Sequence, residues 1–255
     1  MMRVLMNNIV AAIEYDGTMF KGSQKQIKSR TVQGALDESL SKIHKNQVFS
    51  EFASRTDSGV HASNQVVKFE TNLNINTDDW VQTLNHYLPE DIRVFKCKTT
   101  NKDFDVRRDA VEREYTYKII LGNRISPIEN KYYEHITENL DLGVLESAKK
   151  IFLGEHNFLS FTGRLLPKNA NTVREINSIE YDISGRELII KISAKSFLYQ
   201  QVRRIVGSII LLMKNKIDLD SINKAFKFPS KGKYNLLVSS KGLYLSNIKY
   251  KNILN

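Results

Sequence analysis

The order of two hydrophobic periodicities along the N-terminal part of the chain constrains the fold more than any other feature. Apolar runs predict strands at residues 9–14, 48–53, 65–71 and 92–98. Apolar residues at helical spacing predict one helix capped by Thr31 and another capped by Thr77, which Pro89 ends. The resulting order is strand, helix, strand, strand, helix, strand, which is typical of the split βαβ, or ferredoxin-like, arrangement.

A similar order recurs in the rest of the chain, although the sequence itself does not repeat. Strands are predicted at residues 113–121, 172–184, 187–195 and 243–250, and helices at residues 142–152, 199–213 and 221–228. The second and third of these strands form a hairpin around Gly185. We therefore predict an α+β protein with two ferredoxin-like lobes, residues 1–105 and 106–255, in which a mostly antiparallel sheet is flanked by helices.

Composition excludes several classes of protein. Hydrophobic residues make up 41% of the 255 positions, as in soluble globular proteins. The longest apolar stretch, residues 205–213, is far shorter than the roughly 20 residues of a membrane span. Residues 1–8 are too few and too polar for a secretory signal, and the single cysteine, Cys97, excludes an intrachain disulfide. We expect a cytoplasmic protein without membrane association.

The charge balance favours an anionic partner. The formal net charge is +10, and nucleic acid is the commonest partner of such a protein. The abundance of Lys, Asn and Ile also fits an AT-biased genome, so charge alone leaves nucleic-acid binding open. The five histidines lack ligand spacing and no phosphate-binding glycine loop is present, so we predict neither a metal site nor a small-molecule cofactor.

The first candidate site is the segment 55–61, Arg-Thr-Asp-Ser-Gly-Val-His, which lies between two predicted strands. It presents Asp57 at a loop tip, where a carboxylate can act as nucleophile, base or electrostatic stabiliser. The guanidinium of Arg55 would lower the pKa of this carboxylate and keep it ionised. Two structural alternatives are a turn in which Asp57 bonds its own backbone and a salt bridge that stabilises the loop. His61 either orders the loop or meets a phosphate of a nucleic acid.

Two further candidates lie in the second half. Alternation at residues 113–117 puts Arg113, Tyr115 and Tyr117 on one strand face, where an exposed aromatic could stack on an extruded base. Ordinary buried tyrosines are the alternative. At residues 197–207 a strand meets an apolar helix that contains Arg203. A buried arginine needs a partner, and the carboxylate of Asp57 is one candidate. A surface contact with a phosphate or a Glu side chain is the alternative.

These segments together resemble one family. Residues 55–62, Arg-Thr-Asp-Ser-Gly-Val-His-Ala, closely resemble the signature of the TruA family of tRNA pseudouridine synthases. Residues 113–117 match the family's Arg-x-Tyr-x-Tyr pattern, and residues 197–207 match its Phe-Leu-Tyr-x-x-Val-Arg-x-Ile-Val-Gly pattern. Residues 15–26 and 241–245 resemble the opening and closing motifs of the family more weakly. The resemblance spans essentially the whole chain in the right order.

The resemblance implies a pseudouridine synthase fold with the active-site cleft between the two lobes. It implies that Asp57 is the catalytic carboxylate, that Arg55 and Arg203 support it, and that Tyr115 and Leu198 bind the substrate. The implied substrate is tRNA, modified in the anticodon stem-loop at roughly positions 38 to 40, and the implied enzyme is a homodimer that needs no cofactor.

Two departures from the family pattern bear on substrate choice. Ser23 stands where the family usually has Trp, and residues 228–240 lack the usual Ala-Pro pair. A paralogue that modifies another RNA site is therefore one alternative. A non-catalytic RNA-binding protein on the same scaffold is the other, although mere binding requires no buried carboxylate near phosphates.

Overall fold

The structure is a computed structural model that describes residues 6–163, 166–167, 169–234, 236–251 and 253–254. The chain divides into two compact units. The first comprises Met1–Glu112 together with Tyr244–Asn255, and the second comprises Arg113–Leu243. The first unit is therefore discontinuous in sequence, because its last strand follows the whole of the second unit.

The first unit carries the predicted order of elements. These are β1 (Asn7–Tyr15), α1 (Val32–His44), β2 (Ser50–Phe52), β3 (His61–Thr71), α2 (Thr77–Tyr87) and β4 (Ile92–Thr100). The unit also contains the last strand of the chain, β10 (Leu243–Tyr250), which the sequence predicts in the second lobe. The strand order is β4-β1-β3-β10, with β2 also paired to β3. The pairs are antiparallel except β3 with β10, which run parallel with Tyr244 opposite His61.

The second unit repeats the mixture of a sheet and helices. Its elements are β5 (Ala110–Leu121), α3 (Glu129–Tyr132), β6 (Glu134–Ile136), α4 (Leu145–Phe152), β7 (Gly154–Asn157), β8 (Val173–Ser184), β9 (Glu187–Ala194), α5 (Gln201–Met213) and α6 (Leu219–Lys227). The order β5-β9-β8-β7 is antiparallel throughout, and β6 runs parallel to β5. The predicted α+β class, with mostly antiparallel sheet flanked by helices, is confirmed.

The core of the first unit shows why its two helices lie on the sheet. Trp80 of α2 is fully buried. Its ring stacks on His44 of α1 at 5.7 Å between centroids and meets Phe69 of β3 edge-on at 5.1 Å. One aromatic side chain therefore joins both helices to the strand that follows the Asp57 segment, and this fixes the scaffold behind it.

Several element boundaries differ from the sequence prediction for local reasons. Thr31 caps α1 as predicted, but Asn76 and not Thr77 caps α2, because the Asn76 side chain accepts from the backbone N–H of Asp79. Strand β3 already begins at His61. The helix predicted at 199–213 begins at Gln201, since Gln200 is left-handed at φ 59°. The helix predicted at 142–152 starts with a separate 3-10 turn before α4.

Candidate active site

The Asp57 loop, defined here as residues 54–60, joins β2 to β3. Thr56 is buried and its hydroxyl lies 2.8 Å from the phenol oxygen of Tyr15, whereas Asp57 is half-buried. The turn is closed by a bond of 3.2 Å from the backbone N–H of Val60 to the carbonyl oxygen of Asp57, and Gly59 adopts φ 75°. The bend therefore presents Asp57 between a buried residue and a glycine whose conformation other residues rarely adopt.

Residues 15–23, which belong to the opening motif of the family resemblance and are called the opening segment below, bind the main chain of this loop. The backbone N–H of Thr56 donates to the hydroxyl oxygen of Ser23 at 2.8 Å, and the backbone N–H of Ser23 donates to the carbonyl oxygen of Thr56 at 3.1 Å. The backbone N–H of Gly59 donates to the carbonyl oxygen of Phe20 at 3.2 Å. Ser23 is fully buried. These bonds fix the backbone on both sides of Asp57.

Two glycines make the close approach of the opening segment possible. A Cβ atom on Gly17 would lie 2.0 Å from the carbonyl oxygen of Val60. A Cβ atom on Gly22, which has φ 96°, would lie 2.9 Å from the carbonyl oxygen of Thr56. No side chain fits at the first of these distances, so Gly17 is required for the loop to occupy its place.

Strand β3 fixes both ends of the loop. The Gln65 amide donates to the carbonyl oxygen of Ser54 at 2.8 Å and accepts from its backbone N–H at 3.2 Å. Nδ1 of the buried His61 accepts from the backbone N–H of Gly17 at 3.0 Å, and its ring stacks on Tyr244 at 4.7 Å. His61 therefore holds Gly17, whose Cα packs on Val60 of the loop, and its 2% exposure leaves it out of reach of a phosphate.

Arg55 takes no part in holding the loop. Its side chain is exposed and forms no hydrogen bond or ion pair with any residue that the structure describes. The alternative in which Arg55 and Asp57 form a loop-stabilising salt bridge is therefore wrong. The guanidinium is instead accessible at the loop surface, next to a carboxylate whose backbone is already fixed.

The three residues of the second motif share one face of β5, and that face is buried. The exposed face is therefore wrong and the alternative of buried side chains is right, since Arg113, Tyr115 and Tyr117 are each no more than 8% exposed. Arg113 donates to the carbonyl oxygen of Lys195 at 2.7 Å. The ring of Tyr115 meets Phe197 edge-on at 5.3 Å.

Tyr117 is an ordinary core tyrosine. Its hydroxyl lies 2.9 Å from the carbonyl oxygen of Ser239 and 3.1 Å from a carboxylate oxygen of Glu134. Burial, reinforced by that carboxylate, raises the pKa of the Tyr117 phenol. The two tyrosines therefore differ, since Tyr117 is neutral and fully engaged while Tyr115 contacts an aromatic residue of the third motif.

The third motif forms a turn before α5. The backbone N–H of Leu198 donates to the side-chain oxygen of Gln201 at 2.7 Å, which caps the turn. Arg203 is half-buried and donates through Nε to the carbonyl oxygen of Val238 at 2.8 Å. Arg204 is the more deeply buried arginine, and burial, together with the charge of Arg203, lowers the pKa of its guanidinium.

A pocket of about 340 Å³ opens beside this turn in the second unit. Its lining includes Thr162, Pro167, Arg174, Phe197, Leu198 and Tyr199. Leu198, which the resemblance implicates in substrate binding, thus lies at a concave surface. Phe197, which also lines the pocket, is the residue against which Tyr115 packs.

Sequence reasoning missed the residues that act through the main chain. Ser23 stood out only as a departure from a family pattern. Nothing in the sequence shows the two hydrogen bonds that join Ser23 to Thr56. The contact of Gly17 with Val60 depends on tertiary structure and has no signal in the local sequence. Among the described residues, no group of three or more His, Cys, Asp or Glu side chains could hold a metal ion. In the same part of the chain, no helix is long and apolar enough to cross a membrane.

Comparison with known proteins gives a family match along most of the chain. Residues 11–109 and 148–251 match a family described as tRNA pseudouridine synthase. The chain is 34% identical over 245 residues to tRNA pseudouridine synthase A 2 of Clostridium perfringens, covering 96% of this chain and 100% of that protein. It is 36% identical over 249 residues to tRNA pseudouridine synthase A of Clostridium botulinum, again covering 96% and 100%.

The solved structures that match are more distant. The crystal structure of a Cbf5-Nop10-Gar1 complex has a TM-score of 0.36 and 11% identity, covering 80% of this chain and 54% of the matched chain.

Proposed function

The chain belongs to the tRNA pseudouridine synthase family, and from this premise we propose that Asp57 is its catalytic carboxylate and the anticodon stem-loop of tRNA its substrate. Enzymes of this family are isomerases. The reaction breaks the bond between N1 of uracil and C1′ of ribose and forms a bond from C5 to C1′. N1 gains a proton and C5 loses one, so no electrons or groups are supplied from outside.

Asp57 would act on a uridine that has left its base stack, because the glycosidic bond is inaccessible within a helix. Two routes are open to an ionised carboxylate. It can attack C1′ as a nucleophile, or it can abstract a sugar proton to give a glycal. Both require a carboxylate at a fixed position relative to the ribose, and both regenerate Asp57 at the end of the turnover.

The observation that carries the proposal is the construction of the Asp57 loop. The opening segment bonds the main chain of Thr56 and Gly59, and a glycine contact at Val60 leaves no room for displacement. A loop held in this way arranges its reactive group before the substrate arrives, so little reorganisation is needed during the reaction. A turn that merely connected two strands would not require such contacts.

Supporting roles follow the family motifs. Tyr115 would stack on the uracil and relay a proton, and Leu198 would contact the same nucleotide. Arg55 would hold the extruded state of the RNA, for which its exposed guanidinium is suited. Arg203 would keep the catalytic carboxylate charged.

Recognition of the RNA would rest on charge and shape. The protein carries a net charge of +10, and A-form helices hide their major-groove base edges from side chains, so phosphates are the main contacts. Several neighbouring uridines, at roughly positions 38 to 40, could then serve one enzyme. We further propose a cytoplasmic homodimer, which light scattering of the purified protein would test.

The direct test replaces Asp57 by Asn, which keeps the size of the side chain and removes its charge. We expect near-complete loss of pseudouridine formation in an anticodon-arm tRNA, with tRNA affinity largely retained. Asp103→Asn is the matched control, since it removes the same charge from an exposed position of the same unit. Turnover of Asp57→Asn within about tenfold of wild type, that is within about 1.4 kcal/mol, would remove Asp57 from the mechanism.

A second experiment tests the substrate. Pseudouridine is mapped in cellular RNA with and without the gene. We expect loss of the modification in the anticodon stem-loop of tRNA. Loss at another RNA site would replace the substrate assignment, and an unchanged map would indicate a protein that binds RNA without modifying it.

A further inference from the structure

The lining of the pocket beside Leu198 includes a positively charged side chain, Arg174, that has no role in the proposed chemistry. Arg174 lies at the start of β8, opposite His156 of β7. Its Nη1 donates to the carbonyl oxygens of Asn171 at 3.1 Å and Val173 at 2.6 Å. Within the described part of the chain, its buried Nε has no hydrogen-bond partner.

The described residues place no counter-charge beside this arginine. Within the residues that the structure describes, no carboxylate lies within ion-pair distance of Arg174. Partial burial lowers the pKa of its guanidinium, although arginine remains charged near neutral pH. A partly buried guanidinium without a counter-charge is unfavourable, and the charge of an anion in the pocket would offset this cost.

The remaining lining of the pocket suits the rest of a nucleotide. Tyr199 is 53% exposed, and with Phe197 and Leu198 it offers apolar surface on which a base or ribose can pack. At Gly163, a Cβ atom would lie 2.8 Å from Nη2 of Arg204, so a second guanidinium reaches the pocket wall where the chain has no side chain. The volume of about 340 Å³ is that of a small-ligand site.

We propose that this pocket binds one nucleotide of the tRNA that flanks the target uridine, with its phosphate on Arg174 and its base or ribose against Tyr199. The proposal rests on the proposed function, because it takes the bound polymer to be tRNA. The flanking position follows from Leu198 and Phe197. Both line the pocket, and Phe197 also packs against Tyr115, the residue assigned to the target base.

The test measures tRNA affinity across a salt series for wild type, Arg174→Gln, Arg174→Lys and Tyr199→Ala. Each phosphate contact contributes about one unit to the slope of log affinity against log salt, so Arg174→Gln should flatten that slope by about one. Its affinity at low salt should fall about tenfold. Arg174→Lys should retain the slope. Tyr199→Ala should weaken binding about tenfold and leave the slope unchanged.

Arg124→Gln is the matched control, since it removes one exposed positive charge of the second unit from a position that does not line the pocket. An equal change of slope in Arg124→Gln and Arg174→Gln, or no change in either, would overturn the proposal. Titration with uridine 5′-monophosphate and with inorganic phosphate separates the sources of the anion. If uridine 5′-monophosphate or inorganic phosphate binds saturably and Arg174→Gln does not weaken that binding, the pocket proposal is also overturned.

Pseudouridine formation by wild type is measured in the same preparations. If wild type forms pseudouridine while the Arg174 and Tyr199 variants bind tRNA as it does, the pocket proposal fails and the proposed function stands. If wild type forms none, the proposed function fails independently of the pocket. Thermal unfolding of each variant verifies that it is folded at the temperature of the assay.

Discussion

The Asp57 loop and the pocket beside Leu198 are built in opposite ways. In the loop, the backbone groups of Thr56 and Gly59 are bonded to the opening segment, and Gly17 touches the main chain of Val60. In the pocket, a guanidinium keeps an unmet donor beside about 340 Å³ of space. The main-chain groups of the loop find their partners within the protein, whereas the charged group of the pocket leaves a place for a ligand.

The difference indicates how the chain divides its tasks. A residue that takes part in bond chemistry must be placed within a fraction of an ångström, and bonds to the main chain of the loop achieve this because their partners are main-chain groups and one short, buried side chain. Residues that bind a large RNA must tolerate variation between substrates, and long side chains around an open volume allow this. Substitutions in the loop should therefore act on turnover, and substitutions in the pocket on affinity.

The largest effect is expected from Gly17→Ala. The added Cβ atom would lie 2.0 Å from the carbonyl oxygen of Val60, so the loop must move. We expect a loss of about 3 kcal/mol in the free energy of unfolding and a fall of at least about a hundredfold in turnover. Thermal unfolding and single-turnover kinetics at a temperature where the variant is folded would measure both.

Gly185→Ala is the control for backbone strain alone. Gly185 has φ 58° and no atom within 4 Å of its Cβ position, so alanine should cost about 1 kcal/mol and leave turnover unchanged. Equal losses of activity in the two variants would show that the close approach at Gly17 does not position the loop.

Tyr115→Ala should have the next largest effect. Loss of stacking on the target base, worth about 1–3 kcal/mol, should lower kcat/KM more than tenfold. Tyr115→Phe keeps the ring and isolates the hydroxyl. In Tyr117→Phe the half-buried groups of Ser239 and Glu134 lose a partner, which should lower stability by about 1–2 kcal/mol without lowering kcat/KM. If Tyr117→Phe lowers kcat/KM and Tyr115→Ala does not, Tyr117 and not Tyr115 contacts the target base.

The smallest effect is expected from Ser23→Ala, which leaves the buried N–H of Thr56 without its acceptor. The cost should be about 1–2 kcal/mol in stability. The loop would loosen without touching the RNA, so we expect kcat to fall several-fold while KM for tRNA stays constant. Ser58→Ala is the control, because its exposed hydroxyl makes only a longer bond of 3.3 Å to Phe20. A rise in KM with constant kcat would place Ser23 in RNA binding.

The sequence predicts the parts of the fold that depend on local periodicity. Thr31 caps α1, the hairpin of β8 and β9 turns at Gly185, and the α+β class follows from the order of elements. Strand β3 begins four residues before the predicted start at Gln65, because the residues before Gln65 do not alternate in hydrophobicity. Their strand conformation comes from pairing with β1 and β10.

The candidate site divides in the same way. Motif residues such as Asp57 and Leu198 were found because their pattern is distinctive. For Tyr115 the sequence left an exposed and a buried position open, since alternation reveals that residues share a face but not whether another element covers it. Ser23 and Arg174 act through contacts with residues far away in sequence, and no local pattern contains that information.

The placement of β10 in the first unit has a consequence for synthesis. Tyr244, which stacks on His61 beside the Asp57 loop, is made only after the whole second unit. At roughly 5–20 residues per second, the first unit waits on the order of ten seconds for its last strand. A ribosome-bound chain would carry a fully synthesised Asp57 loop that still lacks this support. We expect competence for catalysis to appear late and abruptly, when β10 emerges and pairs with β3.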